Sequence, residues 1–281
     1  MPLDINKIST NLSPSDSGIW FSRSTRKISY PKEGNALCFG IEEESFWFRH
    51  RNRCIVEAVR RYPPGGTIFD VGGGNGVVSM ALQRSGAEVC LVEPGLQGAS
   101  NAIKRGLKNV ICSTLEDGGF KKNSLPAAGI FDVLEHIEDD DAFLETIRKA
   151  LVKGGRLFVT APAYNFLWSK NDERVGHFRR YTIKDLKKKL AQAGFCVEYG
   201  TYFFMSLPVA ILLWRTLPTK LGIYGDITAE VVRKEHDIKN GTLNAVMDWL
   251  SEKELSCIKK GGALRFGSNC LIVAKKTGGK R

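Results

Sequence analysis

Short apolar runs alternate with amphipathic stretches through the middle of the chain. Residues 67–71, 88–92, 109–112, 127–131 and 156–160 are too short for helices and rich in Val, Ile and Phe, so they are predicted as strands. Between them, helical spacing predicts helices over 77–85, 98–106 and about 139–151, the last stopped by Gly154-Gly155. A helix over 182–193 starts at Thr182 as N-cap and stops at Gly194; a sixth strand, 195–203, follows. Upstream, Phe46, Trp47, Cys54, Ile55, Ala58 and Val59 recur at helical spacing in a helix predicted over 41–62, which Pro63-Pro64-Gly65-Gly66 ends. Alternation of this kind builds an α/β fold, a parallel sheet covered on both faces. The flanks differ. Residues 1–40 show little periodicity and are expected to form an irregular arm, leaving 41–281 as one domain with 205–261 as a helical cap and 268–274 as the last strand. The apolar run 202–214 ends at Arg215 and is interrupted by Pro208. A spanning helix needs roughly 20 apolar residues, so this run is expected to enter the core or lie at an interface.

Composition changes this picture little. The 281 residues are 43% hydrophobic and 25% charged, which excludes a disordered chain, a collagen-like repeat and a disulfide miniprotein. Seven widely spaced cysteines without a C-x-x-C pair argue against a disulfide framework or a zinc cluster. The polar N-terminus lacks the apolar core of a signal peptide, so a cytoplasmic protein is expected. The net charge of +11 does add something: it favours an anionic partner such as nucleic acid, a membrane surface or a phosphorylated substrate.

The sharpest local signal is Asp70-Val71-Gly72-Gly73-Gly74-Asn75-Gly76, between a predicted strand and a predicted helix. Glycines there let the backbone turn tightly and approach a ligand where any Cβ would collide. The second strand ends in Glu93-Pro94, and an acid at that point can accept both hydroxyls of a ribose. The dinucleotide fingerprint G-x-G-x-x-G would need glycine at Val77; the spacing found, D-x-G-x-G-x-G, suits S-adenosylmethionine (SAM).

On these motifs the chain resembles a class I SAM-dependent methyltransferase over roughly residues 40–203 plus the last strand. Asp70, Gly72, Gly74 and Gly76 match the family's first motif and Glu93 its ribose-binding acid. The segment 113–117 matches the adenine loop, with Thr114 where relatives often have Asp, and Leu115 beside it. Residues 131–137, with Asp132, match the motif closing the fourth strand, and 151–157 the L-x-x-G-G turn before the fifth. The resemblance implies a seven-stranded Rossmann-like sheet of order 3-2-1-4-5-7-6, last strand antiparallel, with the helical cap between strands six and seven. It also implies that the aromatic-basic stretch 46–51 lies across the cofactor, bringing Trp47 or Arg49 to it.

Methyl transfer from a sulfonium mainly asks for alignment, and a base only where the acceptor must lose a proton. His136, just after the fourth strand, and His177, in the loop after the fifth, are the candidate bases; together with Asp132 they form the candidate catalytic set. Arg179, Arg180 and Tyr181 follow His177 and are the candidate substrate contacts for an anionic group. An alternative is metal: Asp132, Glu135 and His136 have the i, i+3, i+4 spacing of one helical face and, with His177, resemble the E-x-x-E-H metal turn of some methyltransferases acting on quinones and RNA 3′ ends. The expectation is therefore methyl transfer, to oxygen of a small or lipid-linked acceptor, with peripheral membrane contact. An RNA methyltransferase and a non-catalytic SAM-binding or membrane-peripheral module are the alternatives; without an RNA-binding motif, a nucleic acid partner is not expected.

Overall fold

The computed structural model describes residues 3–23, 39–43, 45–222 and 241–278, with side chains of 241–245 left aside. Nine strands form one sheet: β1 (Leu12–Pro14), β2 (Ile19–Ser22), β3 (Ile68–Val71), β4 (Val89–Val92), β5 (Val110–Cys112), β6 (Leu125–Phe131), β7 (Leu151–Pro162), β8 (Phe195–Phe203) and β9 (Asn269–Lys276), in the order β1-β2-β5-β4-β3-β6-β7-β9-β8. The seven-stranded expectation is thereby corrected to nine. The additional pair arises from residues expected to be irregular: β1 and β2 form an antiparallel hairpin, and β2 runs parallel to β5. The strands are only three and four residues long, with little periodicity for a sequence pattern to reveal. β9 lies antiparallel between β7 and β8.

The helices are α1 (Ile5–Ile8), α2 (Phe46–Arg61), α3 (Val77–Arg84), α4 (Leu96–Lys104), α5 (Asp140–Ala150), α6 (Lys170–Arg174), α7 (Ile183–Gln192), α8 (Leu207–Ile211), α9 (Leu217–Lys220) and α10 (Gly241–Lys259). They cover both faces. Alternate strand residues point opposite ways: Phe69 and Val71 pack with Leu144 and Ile147 of α5 and Leu186 and Leu190 of α7, whereas Ile68 packs with Ile55 and Val59 of α2 and Leu82 of α3. α7 opens with a complete capping box, Thr182 accepting from the Asp185 N–H and Asp185 accepting from the Thr182 N–H.

Gly154-Gly155 does not end an element as expected. β7 runs through both, with Gly154 at φ 79° and a register shift against β6 between Leu125 and Ala127. A Cβ on Gly155 would sit 2.8 Å from the Pro126 carbonyl oxygen, so the glycines allow a bulge in close contact with β6. Within 205–261, α8, a π-helical turn (Leu212–Thr216), α9 and α10 are helical; residues 223–240, including His236, lie outside the described residues. Among the described residues no helix is long and apolar enough to cross a membrane.

Candidate active site

β3, β4, β6 and β7 deliver their carboxyl ends to one edge of the sheet, where ligands bind in open α/β folds. Gly72 hydrogen-bonds from its N–H to the Val92 carbonyl at 2.7 Å, and Gly72, Gly74 and Gly76 have φ of 73°, 54° and 76°. Those angles, and the 2.9 Å between a Cβ at Gly72 and Val133, explain why the loop must be glycine. Asp70 lies beneath and accepts from the Ser79 hydroxyl at 2.6 Å; burial, opposed by that bond, raises its carboxyl to about 6. Glu93 accepts from the N–H groups of Gly74 (2.9 Å) and Gly95 (2.8 Å), and burial, against those two bonds, pushes it to about 7.

Asp70, Gly72, Gly74, Glu93, Pro94 and Asp132 line a cavity of about 380 Å³ together with His136 and His177. Three expected cofactor residues stand elsewhere. Gly76 is the N-cap of α3, its Cα packed so near Leu107 that a Cβ would come within 2.6 Å. Leu115 points into the core, and the Thr114 hydroxyl accepts from the Asp117 N–H at 3.0 Å; neither is among the cavity-lining residues. The loop closes on itself through a local turn, which draws both side chains inward.

The far end of the cavity is built from the β6 terminus. Asp132 has φ 56°, a strained value outside glycine, and its carboxylate accepts from Arg51 Nη1 at 2.6 Å. Residues Leu134–His136 form a 3₁₀ turn and not an α-helical face, so Asp132 turns toward Arg51 while Glu135 and His136 turn toward His177. The four-residue metal set is corrected accordingly: ligand atoms of Glu135, His136 and His177 lie within 4.8 Å of one another, without Asp132. Glu135 is buried, its Oε2 has no hydrogen-bond partner, and burial and the Asp132 charge raise its carboxyl well above the usual range. Burial, and then the charge of His177, lower His136 to about 4, against a bond to the Gly176 backbone. The two imidazoles meet edge to face at 4.7 Å.

His177 Nδ1 lies 2.8 Å from Asp172 Oδ1, and Asp172 also takes Arg180 through Nε at 2.7 Å and Nη2 at 3.0 Å. Burial would push the Asp172 carboxyl up, but the His177 and Arg180 bonds outweigh it and hold it at about 2. An ionised carboxylate only accepts, so His177 Nδ1 donates to Asp172, and Nε2 is the nitrogen left to face Glu135 at 4.0 Å.

Arg179, Arg180 and Tyr181 do not line the cavity. Arg180 is spent on Asp172 and the Ala163 carbonyl; Arg179 pairs with Asp140 at 2.9 Å; the Tyr181 hydroxyl donates to the same Asp140 at 2.7 Å. The chain after His177 runs beside the end of β7 through an Ala163–Tyr181 bridge, with Arg180 and Tyr181 buried and Arg179 half-buried. Of the two α2 candidates, Trp47 lines the cavity, whereas Arg49 lines a separate groove between α2, α3 and α10. Arg51, one turn beyond Trp47 on the same face, reaches the cavity instead, its guanidinium 4.7 Å above the Trp47 ring. Asp172, Arg51 and Asn269 went unanticipated; the capping box Ser169-x-x-Asp172 five residues before His177 was the available signal for the first.

A family model described as a methyltransferase domain matches residues 46–199, more than half of the chain. The chain belongs to the SAM-dependent methyltransferases. The glycine loop and Glu93 fit SAM, the cofactor of this family: Gly72, Gly73 and Gly74 present bare backbone to the cavity beside the Glu93 carboxyl. Ubiquinone biosynthesis O-methyltransferases of Xanthomonas oryzae pv. oryzae and Xanthomonas axonopodis pv. citri are 28% and 27% identical over 102 and 109 residues, 34% and 37% of this chain. The chain spans under half the length of these relatives, 43% and 46%. Among solved structures, a Haloferax volcanii methyltransferase in complex with the activator Trm112 aligns with a TM-score of 0.58 at 16% identity, covering 89% of this chain and 96% of that one. Phosphoethanolamine N-methyltransferase 2 of Haemonchus contortus, bound to SAM, aligns with a TM-score of 0.55 at 18% identity, covering 89% and 58%. At these identities the likeness shows the fold alone.

Proposed function

We propose that this methyltransferase transfers the methyl group of SAM to the oxygen of a hydroxyl on a lipid-linked acceptor. One observation carries the oxygen reading: the Asp172–His177 pair at the cavity wall. A hydroxyl is a poor nucleophile until it loses its proton, and His177 Nε2, with Asp172 holding the opposite nitrogen, is placed to accept it. SAM supplies an electrophilic methyl on a good leaving group. The rest is positioning: Glu93 for the ribose, the glycine loop for close approach, Arg51 and Asp132 to fix the β6 turn. The distant resemblance to ubiquinone biosynthesis O-methyltransferases supports the same acceptor atom and an apolar acceptor. The experiment is an acceptor screen with labelled SAM over phenols, catechols and amines, for the full chain and His177→Ala. Labelling of hydroxyls that the variant loses supports the reading; labelling of amines alone, or hydroxyl labelling undiminished in His177→Ala, overturns it.

A second reading has its own observation, the convergence of Glu135, His136 and His177 with the unpartnered Glu135 Oε2. These three would hold a divalent cation, with Asp172 orienting His177 from behind, a usual arrangement for metal-bound imidazole. A bound cation would lower the pKa of an acceptor hydroxyl in place of a free base. Loss of activity on chelation, restored by added magnesium or zinc, selects this reading; activity indifferent to chelator removes it.

A further inference from the structure

The segment after β8 carries an apolar stripe that stands exposed among the described residues. Met205, Val209, Leu213, Leu217 and Leu221 recur every fourth residue and are 40%, 59%, 49%, 40% and 69% exposed, and Trp214 beside them is 71% exposed. In a regular α-helix a four-residue step overshoots one turn, so such a stripe would drift by roughly 40° per step. Here the π-helical turn Leu212–Thr216 lies in the middle of the segment, and its wider turn reverses the drift. The inner side is equally regular: Pro208 and Thr216 are buried, the Thr216 hydroxyl donates to the Leu167 carbonyl, and the Thr219 hydroxyl accepts from the Lys170 N–H. Those bonds fasten the segment to Leu167 and Lys170, at the start of the stretch that carries the cavity-lining Asn171, Val175 and His177.

An outward apolar face needs an occupant, and charge says which. Arg215 and Lys220 lie on the same short segment, which has no acidic residue from Met205 to Gly222, and the chain as a whole carries +11. Trp and aliphatic side chains flanked by Lys and Arg, on a helix too short to span, are the composition of an interfacial segment. We propose that the Met205–Leu221 face docks on an anionic phospholipid bilayer, its side chains entering the headgroup–acyl boundary and its cations meeting lipid phosphates. Docking there sets the cavity loop against the surface in which a lipid-linked acceptor resides. The inference builds on the acceptor class proposed above, but vesicle binding requires no methyl transfer, so the two fail separately.

The test is cosedimentation of the full chain with vesicles of phosphatidylcholine, with and without phosphatidylglycerol. Pelleting with phosphatidylglycerol vesicles is expected, weakened by salt, and reduced on the order of tenfold or more in Leu213→Gln/Trp214→Gln. Arg215→Gln/Lys220→Gln should lose the preference for phosphatidylglycerol. SAM-induced thermal stabilisation of each variant checks that it is folded, and Val209→Gln is a milder substitute if the double variant is not. Absence of pelleting by the wild type, or equal pelleting by folded variants, overturns the proposal. So does a wild-type dimer that Leu213→Gln/Trp214→Gln makes monomeric while no vesicle binds, because the stripe would then be a protein interface.

Discussion

Asp172 is fully buried and serves three partners, Ser169, His177 and Arg180, with one carboxylate. Replacing it by Asn keeps the shape but lets an amide donate where only an acceptor stood, turning the His177 tautomer around. Asp172→Asn is expected to lower kcat on the order of 10² to 10⁴-fold, with SAM affinity by calorimetry unchanged. Because the carboxyl is depressed to about 2, its contribution to stability is present above the unfolded value near 3.8 and lost as pH falls toward 2. Urea melts should show that loss, about 2 kcal/mol, in the wild type and not in Asp172→Asn. Asp172 was hidden from sequence reasoning for a physical reason. Its role exists only through space, where an N-capping side chain also meets an imidazole and a guanidinium from further along the chain. Asp70, the glycines and Glu93 were legible because strand ends and tight turns impose their spacing locally. The candidates Arg179, Arg180 and Tyr181 misled for the converse reason: sequence shows charge but not whether a buried acid already holds it.

At the scale of elements, Glu254 ties α10 to α2 and to the end of β8, beside the Arg53–Glu252 pair and the packing of Leu255 and Ile258 on α2. Glu254 accepts from His50 on α2 at 2.8 Å and from the N–H groups of Phe204 and Met205 at 2.8 and 2.6 Å. Phe204, at φ 60°, stacks on Trp47, and Trp47 and Arg51 of the same α2 line the cavity. Glu254→Ala strands two buried N–H groups and an imidazole, an expected cost of about 3 kcal/mol or more. It should also weaken SAM binding by calorimetry, since α2 loses part of its backing; unchanged stability and affinity would show that the tie is idle. The core strands and their flanking helices were readable from periodicity, to within a few residues. The β1–β2 hairpin was not, because three-residue strands at a sheet edge draw their order from β5, and the bulge in β7 was taken for a stop because glycine pairs serve either purpose.

For the whole molecule, the cofactor edge gathers acids whose burial in the fold raises their affinity for a proton. Burial raises Asp70 to about 6 and Glu93 to about 7, and raises Glu135 in the same direction, whereas His136 is lowered to about 4. Raised acids make the folded state bind more protons than the unfolded chain, and the lowered histidine makes it bind fewer. With three acids against one histidine, the SAM-free protein is expected to lose stability as pH rises from about 4 to about 7, from the acids' unfolded values to the raised ones of Asp70 and Glu93. Thermal melts across that range check the sign, and Glu93→Gln should flatten the slope. The charge of +11 stays spread along the chain: Met205–Gly222, which carries the exposed apolar stripe, contributes only Arg215 and Lys220 to it.

The place of β9 has a consequence for how such a chain is made. Among the described residues it sits between β7 and β8 and pairs with both, and it is synthesised after the whole cap. A nascent chain therefore carries β8 past the ribosome exit with no strand to receive it and β7 with an open apolar edge. The sheet cannot grow outward in chain order; it is completed by insertion of a late strand into a gap held open for it. Shielding of the unfilled β7 and β8 edges during synthesis is then expected to bear on how much of the chain reaches the finished fold.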